Sequence, residues 1–529
     1  MRQWMVAAKK ADFYAIAEKF HVDPVVARII RNREVIGEKN IRIYLGGNLS
    51  DLSDPHQMKD MDRLVEILAQ KIRKQVHIRI IGDYDVDGVT SSHLFLTALR
   101  RVGAKVDVVI PHRIQDGYGL SLHLLQQAKE DGVDTILTCD NGIAAIDEIA
   151  WAKAQKMTVL VTDHHAVPFE EHEGRRTEKK SLADAVVNPH QQDCGYPYKE
   201  LCGAGVAWNV IRVLYENYDM DKREAEDLLD FVAMATVCDV MSLTGENRIL
   251  VKEGLKRIRH TKNIGLQALM QACNVQPENI SAYHFGYVLG PCVNATGRLD
   301  TARHALRLFE TGQETEAEEI ARDLVDLNQE RKELTLQGVE MAKKLCEEGG
   351  YENDPVLVLF LPDVHESIAG LIAGRIREMY NRPVFVLTRG EEGVKGSGRS
   401  TENYSMYENM CGCAELFTKF GGHPMAAGLS LPEENVEKFR RKINENCPLT
   451  VEEVCPDIHI DMAMPVGYAS TELVHQFALL EPFGKDNPSP LFADRNLSIS
   501  RMWVIGKNRN VLRMSVLSEY GQPGPGIFF

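Results

Sequence analysis

Short apolar runs alternate with amphipathic segments between residues 76 and 187, and few folds accept that rhythm. The spacing predicts strands at 76–81, 105–110, 135–139, 158–162 and 185–187. Helices are expected at 89–102, 120–130 and 144–156. Strands with consecutive apolar residues are buried on both faces, and an intervening helix is the crossover that a parallel pair requires. The expected fold class is α/β, an open parallel sheet with helices on both faces. Ligands of such sheets sit beyond the carboxyl ends of the strands.

Those strand ends carry the chemistry. Gly82-Asp83-Tyr84-Asp85-Val86-Asp87-Gly88 follows the first strand. Carboxylates this close raise each other's pKa and are held cheaply only around something positive, usually a divalent cation. Asp85 and Asp87 read as metal ligands ahead of turn-forming aspartates. Asp83 reads as a catalytic-site acid that orients ligands. Asp140-Asn141-Gly142 follows the third strand. By itself it is an ordinary turn; beside the first cluster, Asp140 becomes a candidate bridging carboxylate.

Asp163-His164-His165 ends the fourth strand. Adjacent side chains of an extended backbone point apart. His164 is therefore assigned to metal and His165 to phosphate contact or proton handling, with Asp163 holding an imidazole tautomer. His190 reads as a satisfied polar residue. Asp239 closes an apolar helical run at 231–238. Alone it is better read as the cap of a following helix, and in this company as a further ligand. The whole set reads as a two-metal hydrolase of phosphate esters.

Cationic groups complement it. Arg113 follows the second strand, and Arg298 is expected on a turn at Asn294–Arg298. Gly396–Ser400 is expected to cradle phosphate with backbone N–H groups, the Ser397 hydroxyl and the Arg399 guanidinium. Gly421-Gly422-His423-Pro424 is expected to close on the same cleft.

A chain of 529 residues divides into several domains. The expected boundaries are 1–60 for a helical lead-in, 61–310 for the catalytic domain, 311–350 for a connecting helix, 351–450 for a second α/β domain and 451–529 for a β-domain short of strands. The connecting helix, over 313–348, carries Ile320, Leu324, Leu327, Leu334, Met341 and Leu345 at helical spacing and reads as a solvated bridge. Turns are expected at 506–508 and 521–526. No apolar run reaches the roughly 20 residues of a membrane span. The first residues are too charged for a signal peptide, and eleven cysteines without a tight framework read as reduced thiols of a cytoplasmic protein. A net charge of −15 argues against coating nucleic acid through overall charge, although a local basic groove still holds a phosphate backbone. Arg375/Arg377, Lys395/Arg399 and Lys507/Arg509/Arg513 are the patch-forming segments.

Ordered along the chain, GDYDVDG (82–88), PHRIQDGYG (111–119), CDNG (139–142), TDHH (162–165), CGAG (202–205), CDV (238–240), GPCVNATGRLD (290–300), GSGRS (396–400), GGHPMAAG (421–428) and LEPFGKDNPSPLF (480–492) resemble the bacterial RecJ family of the DHH phosphoesterase superfamily. The resemblance covers nearly the whole chain. It implies a single-strand-specific 5′→3′ DNA exonuclease of repair and recombination, with two Mn²⁺ or Mg²⁺ ions held by Asp85, Asp87, Asp140, His164 and Asp239. Asp83 and His165 would serve catalysis. Arg113, Arg298 and Ser397 match residues that bind the 5′-terminal phosphate, and Arg399 and His423 match residues lining the site. The second α/β domain would be a DHHA1 domain, followed by an OB-like domain. Single-stranded DNA with a 5′ end is the implied partner of a monomeric, non-membrane protein; a single-strand-binding protein and a helicase are candidate protein partners. Cys292 and Asp486 depart from the family pattern, the latter standing where a glycine is usual. Alternatives are a phosphodiesterase of short oligonucleotides, cyclic dinucleotides or pyrophosphate, and a catalytically silent nucleic-acid-binding protein. A dinucleotide-binding enzyme is weaker, since no Gly-x-Gly-x-x-Gly follows the first strand.

Overall fold

The computed structural model describes the chain except residues 1, 2, 114, 115, 117, 118, 173, 174, 300, 352, 353, 391, 392, 450–456, 507, 508, 510, 520, 522 and 529. Ile114, Gln115, Gly117, Tyr118, Asp300, Lys507, Asn508 and Gln522, which fall within the motifs, basic segment or turns given above, lie outside the described residues. The chain forms two compact units, one of residues 6–325 with 460–529, the other of residues 326–459 with the first five.

The larger unit is built on strands β1 (His77–Ile81), β2 (Lys105–Val109), β3 (Thr135–Cys139), β4 (Thr158–Thr162) and β5 (Ala185–Val187). All pair in parallel, in the order β2-β1-β3-β4-β5. Ile78, Ile80, Ile136, Leu137, Val159, Leu160 and Val161 are fully buried, which is why these runs carry no polar alternation. The chain moves from β1 to β2 on one side and then crosses back to β3 on the other side of β1, so the switch point lies between the carboxyl ends of β1 and β3. A hairpin at Phe169–His172 and Arg175–Glu178, not anticipated from sequence, precedes β5.

Helices cover the sheet and extend the unit: α1 (Val86–Arg101), α2 (Gly203–Asn217), α3 (Leu229–Cys238), α4 (Gly245–Ile258), α5 (Gly290–Leu299) and α6 (Ala302–Glu310). Helix α1 is nearly all buried, packed against α2 and α3. The segment expected as a turn at Asn294–Arg298 is instead the body of α5, because Val293 and Ala295 belong to the apolar core and draw the run into a helix.

The first helices, Phe13–Phe20, Pro24–Asn32 and Glu38–Gly46, share one core with Met464, Leu473, Leu480, Phe483 and Phe492. Arg33 grips Asp461 through Nη1–Oδ1 at 2.7 Å and Nη2–Oδ2 at 3.1 Å in a nearly buried pair. Arg248, also buried, donates to the carbonyls of Tyr44, Leu479 and Leu480 at 2.8–2.9 Å. Asp486 adopts φ +60°, the left-handed region that aspartate tolerates, which accounts for a family position usually held by glycine. Cys292 is buried in α5 with its Sγ 3.8 Å from that of Cys273. The last sheet is an antiparallel meander of β11 (Ser498–Ile505), β12 (Val511–Leu517) and β13 (Pro523–Phe528), numbered after the strands of the other unit. The turn expected through 526 closes at Gly521, φ +76°, and Gly524 and Gly526 already pair in the ladder.

Helix α7 (Glu314–Glu348) runs from the larger unit into the smaller one. Of the expected stripe, Ile320 and Leu324 are buried, Leu327, Leu334 and Leu345 half-buried and Met341 exposed, and the buried face also takes in Ala317, Ala321, Asn328, Gly338, Val339 and Ala342. Small residues let a neighbour approach; a Cβ on Gly338 would meet Ile372 Cδ1 at 2.3 Å.

The smaller unit holds β6 (Leu357–Phe360), α8 (Glu366–Tyr380), β7 (Val384–Gly390), β8 (Gly393–Arg399), β9 (Lys419–His423) and β10 (Ala426–Leu431), with sheet order β9-β10-β8-β7-β6. Only β6 and β7 are parallel.

Candidate metal centre

The switch point gathers the acids. Asp85 caps the N-terminus of α1, accepting the Gly88 N–H at 3.0 Å, a role it combines with a place in the acidic cluster. Asp87, two residues further on, is buried and accepts the N–H groups of Gly203 at 2.6 Å and Ala204 at 2.8 Å from the start of α2. Those donors fix the carboxylate and bring a helix N-terminus to it. Asp140 sits at φ +61° directly after β3. Next to it, Asn141 ties the two strand ends together, donating to the Ile81 carbonyl at 3.1 Å and the Cys139 carbonyl at 3.0 Å. Asp239 caps the C-terminal end of α3 rather than starting a helix, and Thr244 stands at the N-cap of α4.

His164 is the hub. Its Nε2 lies 3.0 Å from Asp140 Oδ1, 3.6 Å from Asp239 Oδ2 and 3.7 Å from Asp87 Oδ2. Three overlapping groups have donor atoms within 4.8 Å of one another: Asp140/His164/His165, Asp87/His164/Asp239 and Asp83/Asp85/Asp140. The two histidines do not splay apart as an extended backbone would dictate. The strand has ended at Thr162, and their ring centroids are 4.3 Å apart. Asp163 does hold an imidazole, but that of His165, at 2.8 Å from Nδ1. His190 donates its backbone N–H to Asn188 Oδ1 at 2.8 Å.

The electrostatics ask for a cation. Burial, and then the neighbouring carboxylates, push Asp83, Asp85, Asp140 and Asp239 above the usual carboxylate range. Burial pushes His164 down toward the neutral form that a metal needs. Asp83 Oδ1, His164 Nε2 and Asp239 Oδ2 are buried with no hydrogen-bond partner among the described residues. Buried acceptors turned inward without donors fit a divalent ion, and carboxylate with imidazole is the donor set of Mn²⁺ and Mg²⁺ chemistry. The cluster is a candidate divalent-metal site.

Tyr84, between the acids, is faced by Arg113, whose Cζ is 5.0 Å from the ring centroid. Arg298, in the last turn of α5, also acts on Tyr84 through its charge. The placement of α5 is explained by two residues whose roles sequence reading missed. Asn294 Oδ1 accepts the Val86 N–H at 3.2 Å, and Gly297 lies against Tyr84, where a Cβ would meet the Tyr84 carbonyl at 2.4 Å. Gly203 was likewise passed over; a Cβ there would come within 2.6 Å of Asp140 Cβ. Both glycines belong to motifs quoted above, and the close approach that demands them is visible only in three dimensions. Beside Asp239, a groove of about 590 Å³ runs past Val240, Tyr283 and Tyr287 to Lys485. Tyr283 and Tyr287 are exposed and stacked, centroids 5.1 Å apart and planes 23° from parallel.

Ser397, Arg399 and His423 belong to the smaller unit. The expected backbone cradle at Gly396–Ser400 is corrected: Gly396–Arg399 lies in β8 between β7 and β10, and a strand paired on both sides spends its N–H groups in the ladder. The side chains of Ser397 and Arg399 share the face turned to α8, where a Cβ on Gly370 would meet Ser397 Oγ at 2.8 Å and an Arg399 Nη at 2.9 Å. His423 ends β9, exposed. Lys395 is paired with Glu366 at 2.7 Å, which removes it from the simple basic patch.

A parallel sheet with this acidic switch point, joined by a long helix to a second α/β unit, defines a DHH-type protein. Residues 77–236 match the DHH family N-terminal domain, 353–447 the DHHA1 domain and 460–529 the RecJ OB domain. The chain belongs to the RecJ family. It is 34% identical over 518 residues to the single-stranded-DNA-specific exonuclease RecJ of Haemophilus influenzae, covering 94% of this chain and 88% of that one. It is 33% identical over 512 residues to the Bacillus subtilis protein of that name, covering 96% of this chain and 63% of that relative's length. The structure of RecJ in complex with Mn²⁺ from Thermus thermophilus superimposes with a TM-score of 0.81 at 26% identity, over 99% of this chain and 78% of that one. A second, exonuclease RecJ bound to manganese, gives 0.64 at 31% identity, over 75% and 96%.

Proposed function

We propose that the chain is a divalent-metal-dependent 5′→3′ exonuclease that hydrolyses single-stranded DNA to mononucleotides. The observation that carries this reading is the convergence of Asp83, Asp85, Asp87, Asp140, His164 and Asp239 on one pocket with inward-facing atoms lacking donors. Asp85, Asp87, Asp140, His164 and Asp239 would hold two ions, with Asp140 shared. When bound, the ions activate water and neutralise charge on the scissile phosphate and the departing 3′-oxygen.

The protein's own residues do the rest. Burial opposes a charge on His165, but the hydrogen bond to Asp163 and nearby carboxylates prevail and raise its pKa to about 9. The protonated ring can meet a phosphate oxygen or supply a proton to the leaving oxygen. Arg113 and Arg298 flank Tyr84 and are suited to forked contacts with a 5′-terminal phosphate. Ser397, Arg399 and His423 are assigned to substrate binding on the family resemblance. Tyr283 and Tyr287 offer a stacking surface for unpaired bases, which supports a single-stranded substrate.

The test is an Asp140→Ala protein with 5′-phosphorylated single strands and Mn²⁺. Nucleotide release should vanish while circular dichroism stays native; surviving release would refute the assignment. A length series of DNA and RNA strands separates the exonuclease from a phosphodiesterase of short oligonucleotides.

A further inference from the structure

The far ends of α1 and α3 meet at a second cavity, of about 660 Å³, walled by the last turns of α4 and α6 and the start of the helix Ile264–Ala272. Its floor is aromatic. The His93 ring lies 4.4 Å from Phe231 and 5.8 Å from Phe309, and the two phenylalanines meet edge-on at 5.0 Å. His93 is 6% exposed, and its Nδ1 has no hydrogen-bond partner among the described residues. Beside it Asp230, 3% exposed, accepts from Thr261 Oγ1 at 2.6 Å. The rim is cationic in a chain of net charge −15.

Some of those cations have a plainer role. Arg101, Arg257 and Lys262 are matched by Glu224, Glu226 and Asp227, and basic groups in a last helical turn offset the helix dipole. That account covers neither Arg100 and His260, which form no ion pair among the described residues, nor a buried imidazole nitrogen left without a partner beside an open cavity. A nucleobase offers what the floor lacks: a flat apolar face with hydrogen-bonding groups at its edge. Its phosphate would meet Arg100 and His260. The volume lies in the range of small-molecule sites.

We propose that this cavity binds a mononucleotide and that its occupancy is felt at the metal centre. The connection is material: α1 carries Arg100 at this end, His93 at its middle, Asp87 in its first turn and Asp85 at its N-cap, while α3 begins at Leu229 beside Asp230 and ends on Asp239. A helix of sixteen residues spans about 24 Å. The proposal goes beyond the nuclease reading and does not depend on it.

Calorimetric titration of the full chain in EDTA with dTMP and with AMP tests it, inorganic phosphate and thymidine serving as separate probes. Arg100→Ala/His260→Ala, both on the exposed rim, should weaken at least about tenfold the nucleotide binding that persists in Arg113→Ala, where the phosphate contact proposed at the metal centre is removed. Loss in Arg113→Ala with retention in the rim variant overturns the site. So does the absence of saturable binding up to the order of millimolar. Phosphate or thymidine binding as tightly as the nucleotide overturns the assignment of the ligand. Nucleotide should also shift the Mn²⁺ affinity of the wild-type chain by about fivefold or more, and not that of the rim variant. An unshifted Mn²⁺ affinity overturns the coupling.

Discussion

The Asp163 carboxylate organises both adjacent histidines: Oδ1 lies 2.8 Å from His165 Nδ1 and accepts the backbone N–H groups of His164 and His165 at 2.7 and 3.0 Å. Its Oδ2 takes the Ile143 N–H at 2.9 Å, pinning the loop after β3. Burial raises its pKa, and the His165 bond with the two imidazoles more than reverses that, so it stays ionised. Asp163→Asn keeps the shape and loses the charge. Divalent-ion affinity or turnover should fall about 10–100-fold. The His165 pKa, about 9 in the parent, should drop toward 6.5, followed by NMR titration of the ring.

Without metal, the cluster works against folding at neutral pH. The four raised carboxyls hold protons more tightly folded than unfolded, so their contribution is full below the unfolded value near 3.8 and is lost as pH rises through the folded values. Asp140→Asn should therefore raise the melting temperature in EDTA, by about 1 °C for each 1 kcal/mol of repulsion relieved in a unit of this size. The parent should gain stability on adding Mn²⁺ and the variant far less. Thermal scans in EDTA and in Mn²⁺ decide it.

Gly203→Ala places a methyl 2.6 Å from Asp140 Cβ and 2.9 Å from its Oδ1. The same residue donates to Asp87. Shifting both carboxylates should weaken Mn²⁺ binding at least about tenfold with little change in circular dichroism. Calorimetric titration with Mn²⁺ measures it.

Burial holds His93 neutral, its pKa lowered to about 3. The unfolded chain takes up a proton near 6.5 and the folded chain does not, so this residue's contribution is present above 6.5 and is lost as pH falls toward 3. Replacement by phenylalanine removes that dependence. The stability difference between parent and His93→Phe should change by up to about 1.4 kcal/mol per pH unit between pH 6 and 4, read from urea unfolding.

Arg33→Ala leaves Asp461 nearly buried without its bidentate partner. A loss of about 3–5 kcal/mol is expected. Amide exchange should quicken first in residues 460–493 and the helix Pro24–Asn32, which this pair clasps together.

The parallel sheet was legible because hydrophobic burial on two faces writes itself as continuous apolar runs, and Thr135–Cys139, Thr158–Thr162 and Ala185–Val187 appear with the bounds expected. The long helix was equally plain from its period, and the ligand candidates from acids and histidines directly following strands. Elements set by distant partners were not. Asn294–Arg298 reads locally as a turn and Gly396–Ser400 as a flexible cradle; a helix core and a two-sided ladder decide otherwise. The buried face of α7 adds small residues to the expected Ile320 and Leu324; these carry little hydrophobic signal and matter only where another element comes close. Sequence alone fixed which residues could bind a cation, since charge and donor chemistry are properties of side chains. Which of them share one pocket depended on strand order, because neighbours in a parallel sheet are chosen by crossovers that may skip any length of chain.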